Sequence, residues 1–202
     1  MEPTERNRRA FDAAHRRRSR AGPGLPAMVK ATLGDLSEKR VLHLQCGGGE
    51  ASADLAELGA VVTAIDASEA RLDEARGRWP KILWIQADAE TLPAELRRGR
   101  FDLVYSPAGL LGQVDDLEAW ADGLVGALHE RGELLVYDDH PAALCIDSFH
   151  RWQYDYFEDG FWRLGTVVTT LVRAGFRIEA LEEYPGERLM PGTFLLYAVC
   201  SD

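Results

Sequence analysis

Nowhere among the 202 residues does an apolar run approach the roughly 20 residues that span a bilayer, which excludes a transmembrane helix. The N-terminus lacks the apolar core of a secretory signal, being polar and arginine-rich, so a cytoplasmic location is expected. Cysteine is scarce: Cys46, Cys145 and Cys200 are odd in number and widely spaced. Such a set forms neither a disulfide framework nor a zinc site, which needs paired ligands at short spacing, so no metal is expected. There is no internal repeat and no low-complexity linker. The length allows one domain with a sizeable core, and an apolar share of 46% makes that domain globular rather than disordered.

Charge is unevenly spread. The net charge is -10, yet seven arginines lie between Arg6 and Arg20 against only Glu2, Glu5 and Asp12, so the rest of the chain is more acidic than the whole. An acidic body repels phosphate backbones, and nucleic acid is not expected as a partner. The basic arm reads as a solvated helix or as a lid over an anionic group, ahead of a nucleic-acid tail. Ala21-Gly22-Pro23-Gly24-Leu25-Pro26 breaks any helix begun there, which divides the chain into an arm, 1–26, and a domain, 27–202.

Within the domain, strand-like and helix-like runs alternate. Arg40–Leu44, Val61–Ile65, Ile82–Ile85, Phe101–Tyr105 and Leu134–Tyr137 read as strands. Between them, residues 50–58, a stretch after Ser68, and 115–128 carry apolar side chains at helical spacing. A further helix over 164–174 stops at Gly175, and Phe176–Glu183 and Phe194–Cys200 close the chain as two strands joined by a long loop. Continuous apolar strands separated by helices predict a doubly wound parallel sheet covered on both faces. The last two strands, with no helix between them, are expected to run antiparallel.

In such a sheet a ligand binds at the carboxyl ends of the strands. The first strand ends in Gln45-Cys46-Gly47-Gly48-Gly49-Glu50, where glycines let a ligand approach the backbone. The second ends in Asp66, 19 residues beyond Gly47, the distance at which an acid accepts from vicinal ribose hydroxyls. The third ends at Asp88-Ala89, where a second acid can meet the amino edge of adenine. Each signal has a plain alternative, a tight turn or a helix cap, but here three fall at the ends of three successive strands. A dinucleotide fits poorly. Its third fingerprint glycine is replaced by Ser52, and Glu50 would repel a pyrophosphate at the helix start. A cationic sulfonium with no phosphate tolerates this acidity.

With these residues the chain resembles the class I S-adenosylmethionine-dependent methyltransferases from about residue 38 to 200. It is most similar to a bacterial subgroup carrying His43-Leu44-Gln45-Cys46 in the first loop. Val62-Thr63-Ala64-Ile65-Asp66, Phe101-Asp102-Leu103-Val104-Tyr105-Ser106, His140-Pro141, Trp162-Arg163-Leu164-Gly165, Ala174-Gly175-Phe176-Arg177 and Leu181-Glu182-Glu183-Tyr184-Pro185 also match. The resemblance implies a Rossmann-like α/β fold with a mostly parallel seven-stranded sheet and an antiparallel C-terminal strand. It further implies S-adenosylmethionine as cofactor, held by Gln45, Cys46, Gly47, Gly48, Gly49, Asp66, Ala67, Asp88, Ala89 and Ser106. The broad family has an acid where His43 stands and a glycine where Gln45 stands. The arm and residues 141–161 are short for the subgroup, and because such parts cover the acceptor, the resemblance leaves the acceptor open.

The leading expectation is a methyltransferase acting on a small molecule, with no nucleic acid or membrane partner and the oligomeric state left open. The alternatives are a methyltransferase-like protein that only binds, and a nucleotide-dependent oxidoreductase. Two acceptor-side expectations follow. The aromatic run Trp152, Tyr154, Tyr156, Phe157, Phe161 and Trp162 caps the cleft or packs into the core. His140, beyond the fifth strand, acts on the acceptor with its ring oriented by Asp138 or Asp139, or else merely caps the strand end before Pro141.

Overall fold

The computed structural model describes residues 24–147, 151–157, 162–186 and 190–201, so the arginine arm before Gly24 and Phe161 lie outside the described residues. Strands β1 (Arg40–His43), β2 (Val61–Asp66), β3 (Leu83–Gln86), β4 (Phe101–Ser106), β5 (Leu128–Asp139), β6 (Phe176–Pro185) and β7 (Pro191–Cys200) form one sheet. Its order is β3-β2-β1-β4-β5-β7-β6. β1 to β5 pair in parallel, while β7 runs antiparallel to both β5 and β6, as the missing helix between the last two strands predicts. The helices are α1 (Ala27–Leu33), α2 (Glu50–Glu57), α3 (Glu69–Arg78), α4 (Leu117–Ala127), α5 (Pro141–Leu144) and α6 (Leu164–Ala174). The architecture is the expected α/β, Rossmann-like doubly wound sheet.

Both faces of the sheet are buried, which is why its strands read as unbroken apolar runs. Alternate residues of β1 enter different cores. Leu42 packs with Val104, Val136, Trp120, Leu124 and Leu171 beneath α4 and α6. Val41 packs with Leu103, Leu135, Val29, Leu55 and Leu72 beneath α1, α2 and α3. α4 starts where the Asp116 carboxylate accepts from Glu118 N at 3.0 Å and Ala119 N at 2.9 Å, satisfying two free donors of its first turn. α6 ends at Gly175, whose φ of 112° suits glycine.

Four features depart from the expectation. β5 begins at Leu128, not after Gly132, because Leu128 pairs with Phe101 ahead of a register shift that absorbs the turn at Gly132. The loop expected between the last strands is shorter, since Pro185 pairs with Pro191 and Gly186 N donates to Met190 O at 2.6 Å. α1 follows Pro26 and α5 begins at Pro141, prolines that mask both helices in the sequence. Leu25, just before α1, is already buried, and its N–H donates to Asp54 at 2.7 Å. Among the described residues no helix is long and apolar enough to cross a membrane.

Candidate cofactor and acceptor site

The strand order reverses between β1 and β4, the two central parallel strands whose connections run to opposite sides. Their carboxyl ends splay into the crevice where open α/β sheets bind ligands. On the β1 side the chain turns sharply. Gln45 has φ 45°, Gly47 φ 56° and Gly49 φ 90°. Cys46 N donates to Ile65 O at 2.8 Å and Gly49 N to Cys46 O at 3.0 Å, which fixes the loop over the end of β2. The glycines serve different ends. A Cβ on Gly49 would lie 2.6 Å from Trp84 Cη2 and 3.1 Å from Ala75 Cβ, so this glycine lets α3 and β3 close against α2. A Cβ on Gly47 would meet nothing within 4 Å, so that turn borders open space.

Asp66 is 4% exposed and clamps this turn. One carboxylate oxygen accepts from Gly47 N at 2.8 Å and the other from Ser68 N at 2.9 Å, joining the glycine loop to the start of α3. The 19-residue spacing therefore has a structural consequence in this fold. Each carboxylate oxygen retains a second acceptor site, so the clamp leaves room for hydroxyl donors. At the end of β3, Asp88 accepts from Glu90 N at 2.7 Å through one oxygen, and Gln86 Nε2 donates to Ala67 O at 3.0 Å. Ala67 and Asp88 are exposed and Ala89 is half-buried, so these strand ends form a shelf beside the glycine turn. Glu50, at the start of α2, pairs with Arg78. Cys46 is buried, and desolvation, helped by the nearby Asp66 charge, pushes its thiol up to about 12, so it remains protonated.

Among the described residues three buried polar side-chain atoms have no hydrogen-bond partner: His43 Nε2 and Ser106 Oγ at the ends of β1 and β4, and Trp120 Nε1 in the core beneath α4. His43 is 1% exposed, its Nδ1 lies 2.7 Å from Ser52 Oγ, and its ring stacks obliquely on Tyr105 with centroids 5.1 Å apart. Burial holds its pKa down to about 3, so the imidazole is neutral. Gln45 occupies the left-handed region where the resembled family places glycine, and it is half-buried. The sequence gives no sign of this strain.

Sequence reasoning missed the anchoring role of Asp138. Its carboxylate, buried at the end of β5, accepts from Gly109 N at 2.5 Å, Leu111 N at 3.0 Å and Asp139 N at 2.7 Å. It thereby pins the loop after β4. The signal was a doubled acid after an apolar strand, facing a glycine-bearing loop.

His140 is 6% exposed and caps α5. Its Nδ1 accepts from Ala142 N at 3.1 Å, which places the ring proton on Nε2, 2.8 Å from Glu183 Oε1. The carboxylate holding the ring is thus Glu183 on β6, rather than Asp138 or Asp139. Burial lowers the imidazole pKa, and the Glu183 carboxylate opposes that shift. Of the aromatic run, Trp162 packs against the α4 core and donates from Nε1 to Val114 O at 2.7 Å, which is the core-packing alternative. Trp152 and Phe157 are exposed. Tyr156 and Phe157 line a groove of about 520 Å³ on the outer side of α6 with Arg163, Thr166 and Arg173. Among the described residues, no three His, Cys, Asp or Glu side chains converge as a metal site.

Comparison with known proteins agrees with this fold. A methyltransferase domain model matches residues 41–132, which run from β1 into β5. An uncharacterised methyltransferase of Synechocystis sp. is 42% identical over 162 residues, 75% of this chain and 73% of that protein. An S-adenosylmethionine-dependent methyltransferase of Mesorhizobium loti superposes with a TM-score of 0.71 at 27% identity, covering 85% of this chain and 95% of that one. Another, from Corynebacterium glutamicum, superposes with a TM-score of 0.67 at 17% identity, covering 96% and 98%.

Proposed function

Because the chain belongs to the methyltransferase family, we propose that it binds S-adenosylmethionine at the carboxyl ends of β1 to β4 and directs the methyl group to a small-molecule acceptor. The observation that carries the reading is the pair of buried polar atoms without partners, Ser106 Oγ and His43 Nε2, at the β1/β4 switch point beside the open turn at Gly47. Buried polar atoms are rarely left unpaired, so these two call for a ligand. The donor set fits this cofactor. It offers acids for hydroxyls and an amino edge and neutral groups for the amino-acid end, while the Arg78 guanidinium beside the loop is paired with Glu50.

Asp66 would accept from the ribose hydroxyls through its remaining lone pairs. Asp88, with Ala67 and Ala89 on the same shelf, would hold the adenine, the carboxylate accepting from its amino group. Gln45, Cys46, Gly47, Gly48 and Gly49 supply backbone edge to the amino-acid end, and Ser106 its hydroxyl. When bound, the cofactor supplies an electrophilic methyl on a sulfonium. The chain's task is then to hold the acceptor in line with the bond that breaks, and positioning alone accounts for much of such a rate. His140 stands toward the acceptor side. Both its nitrogens are engaged, so proton transfer through its ring requires one of those bonds to open. The acidic body argues against nucleic acid as the acceptor.

Calorimetry of the full chain tests the reading. S-adenosylhomocysteine is expected to give a saturable heat and NAD none. Binding of NAD, or no binding of S-adenosylhomocysteine, overturns it.

A further inference from the structure

The first strand ends on a buried polar group that the fold leaves unused. His43 closes β1 between Ala64 of β2 and Tyr105 of β4. The three residues share one face of the sheet, and Ala64 and Tyr105 pack in the core beneath α1, α2 and α3. His43 Nδ1 lies 2.7 Å from Ser52 Oγ on α2. Nε2, across the ring and facing away from Ser52, meets no partner.

The Ser52 hydroxyl decides which nitrogen carries the proton. Ser52 is fully buried, and among the described residues His43 Nδ1 is the one hydrogen-bond partner of its Oγ. Burial keeps the ring neutral, so one nitrogen donates and the other accepts. A proton on Nδ1 would leave two buried groups unpaired, the hydroxyl proton and the Nε2 lone pair. With the hydroxyl donating to Nδ1, a single group is left over, the Nε2 N–H. The ring is therefore a fixed donor that calls for an acceptor.

The charges around the first loop favour an anionic one. The turn at Gly47 borders open space. Both acids beside it are already engaged: Asp66 holds Gly47 N and Ser68 N, and Glu50, against Gly48, pairs with Arg78. Arg71 on α3 lies near enough for its charge to act on the Cys46 thiol, against that of Asp66. A carboxylate entering here meets a cation and an N–H, whereas an ammonium finds no acceptor on His43.

We propose that His43 donates from Nε2 to the carboxylate at the amino-acid end of the cofactor and so selects for that carboxylate. This rests on the cofactor reading above and adds to it a residue and a polarity.

Calorimetry of the full chain tests it with S-adenosylhomocysteine and two analogues. S-adenosyl-3-thiopropylamine lacks the carboxylate, and S-adenosyl-4-thiobutyrate lacks the amine. Loss of the carboxylate is expected to weaken binding to the wild-type protein about tenfold or more, and to His43→Leu much less. Loss of the amine should cost both proteins alike. Should His43→Leu fail to fold, nitrogen-edited NMR of the wild-type ring gives a readout without it. The proton should reside on Nε2, and its resonance should move with S-adenosylhomocysteine and the thiobutyrate but not with the thiopropylamine. A proton on Nδ1 overturns the proposal, as does an Nε2 resonance that S-adenosylhomocysteine leaves unmoved. So does a carboxylate whose loss costs both proteins equally, or a His43→Leu effect that follows the amine instead. Failure of S-adenosylhomocysteine itself to bind removes the cofactor reading first and this one with it, so the two failures are distinct.

Discussion

Individual backbone positions of the first loop carry opposite demands. Gly49 sits at φ 90° with Trp84 and Ala75 against it, so Gly49→Ala forces both a strained backbone and a clash. We expect it to lower stability by about 2 kcal/mol or more in denaturant titration. Gln45 pays a strain at φ 45° that glycine would not. Gln45→Gly should therefore leave stability unchanged or raise it by up to about 1 kcal/mol, and a clear loss would show that the side chain holds the loop. Asp66→Ala removes the acceptor for Gly47 N and Ser68 N, and stability should fall by about 1–3 kcal/mol. S-adenosylhomocysteine affinity should fall about tenfold or more if the same carboxylate takes the ribose. Destabilisation with affinity intact would reduce Asp66 to a clamp. The sequence marked this residue by spacing, but two backbone hydrogen bonds from it were not legible, because they depend on how the glycine turn folds back over β2.

At the scale of elements, the apolar runs sufficed to place the parallel strands and the helices over Glu50–Glu57 and Leu164–Ala174, since both faces of the sheet are buried and the periodicity is strong. What was not legible lies where backbone pairing overrides side-chain pattern. β5 extends back through Gly132 because Leu128 has a partner in Phe101, and the last hairpin extends through prolines that sit at its end. The loop after β4 is another such case, held by Asp138 rather than by its own apolar residues. Asp138→Ala strands three backbone N–H donors at once. We expect it to cost about 3 kcal/mol or more and to raise amide exchange at Gly109 and Leu111 well beyond that in the α4 core. Asp138→Asn, which keeps an acceptor oxygen, should recover part of the loss. Equal exchange in wild type and Asp138→Ala would show that the loop is held from elsewhere.

For the molecule as a whole, buried neutral histidine makes the fold sensitive to acid. His43 is enclosed between Ser52 and Tyr105, and burial lowers its pKa from 6.5 to about 3. Unfolding restores an ordinary imidazole, so between those two values the unfolded chain binds a proton that the folded one refuses. Stability from this group is present above pH 6.5 and is lost as the pH falls toward 3, by about 1.4 kcal/mol for each unit. His140 acts in the same direction, its pKa lowered by burial against the pull of Glu183. Asp102 joins only later. Its partners Arg40 and His129 hold it to about 2, so its stabilising effect is intact above 3.8 and disappears below. The expected profile is therefore a slope that begins just below neutrality, earlier than carboxylates alone would set it. Denaturant titrations across pH 7 to 5 should give a shallower slope for His43→Gln than for wild type. Should that variant be too unstable to titrate, the His43 ring resonances of the wild-type protein decide the matter. They should report a neutral imidazole at pH 5, and a ring that titrates near 6.5 would remove His43 as the source of acid sensitivity.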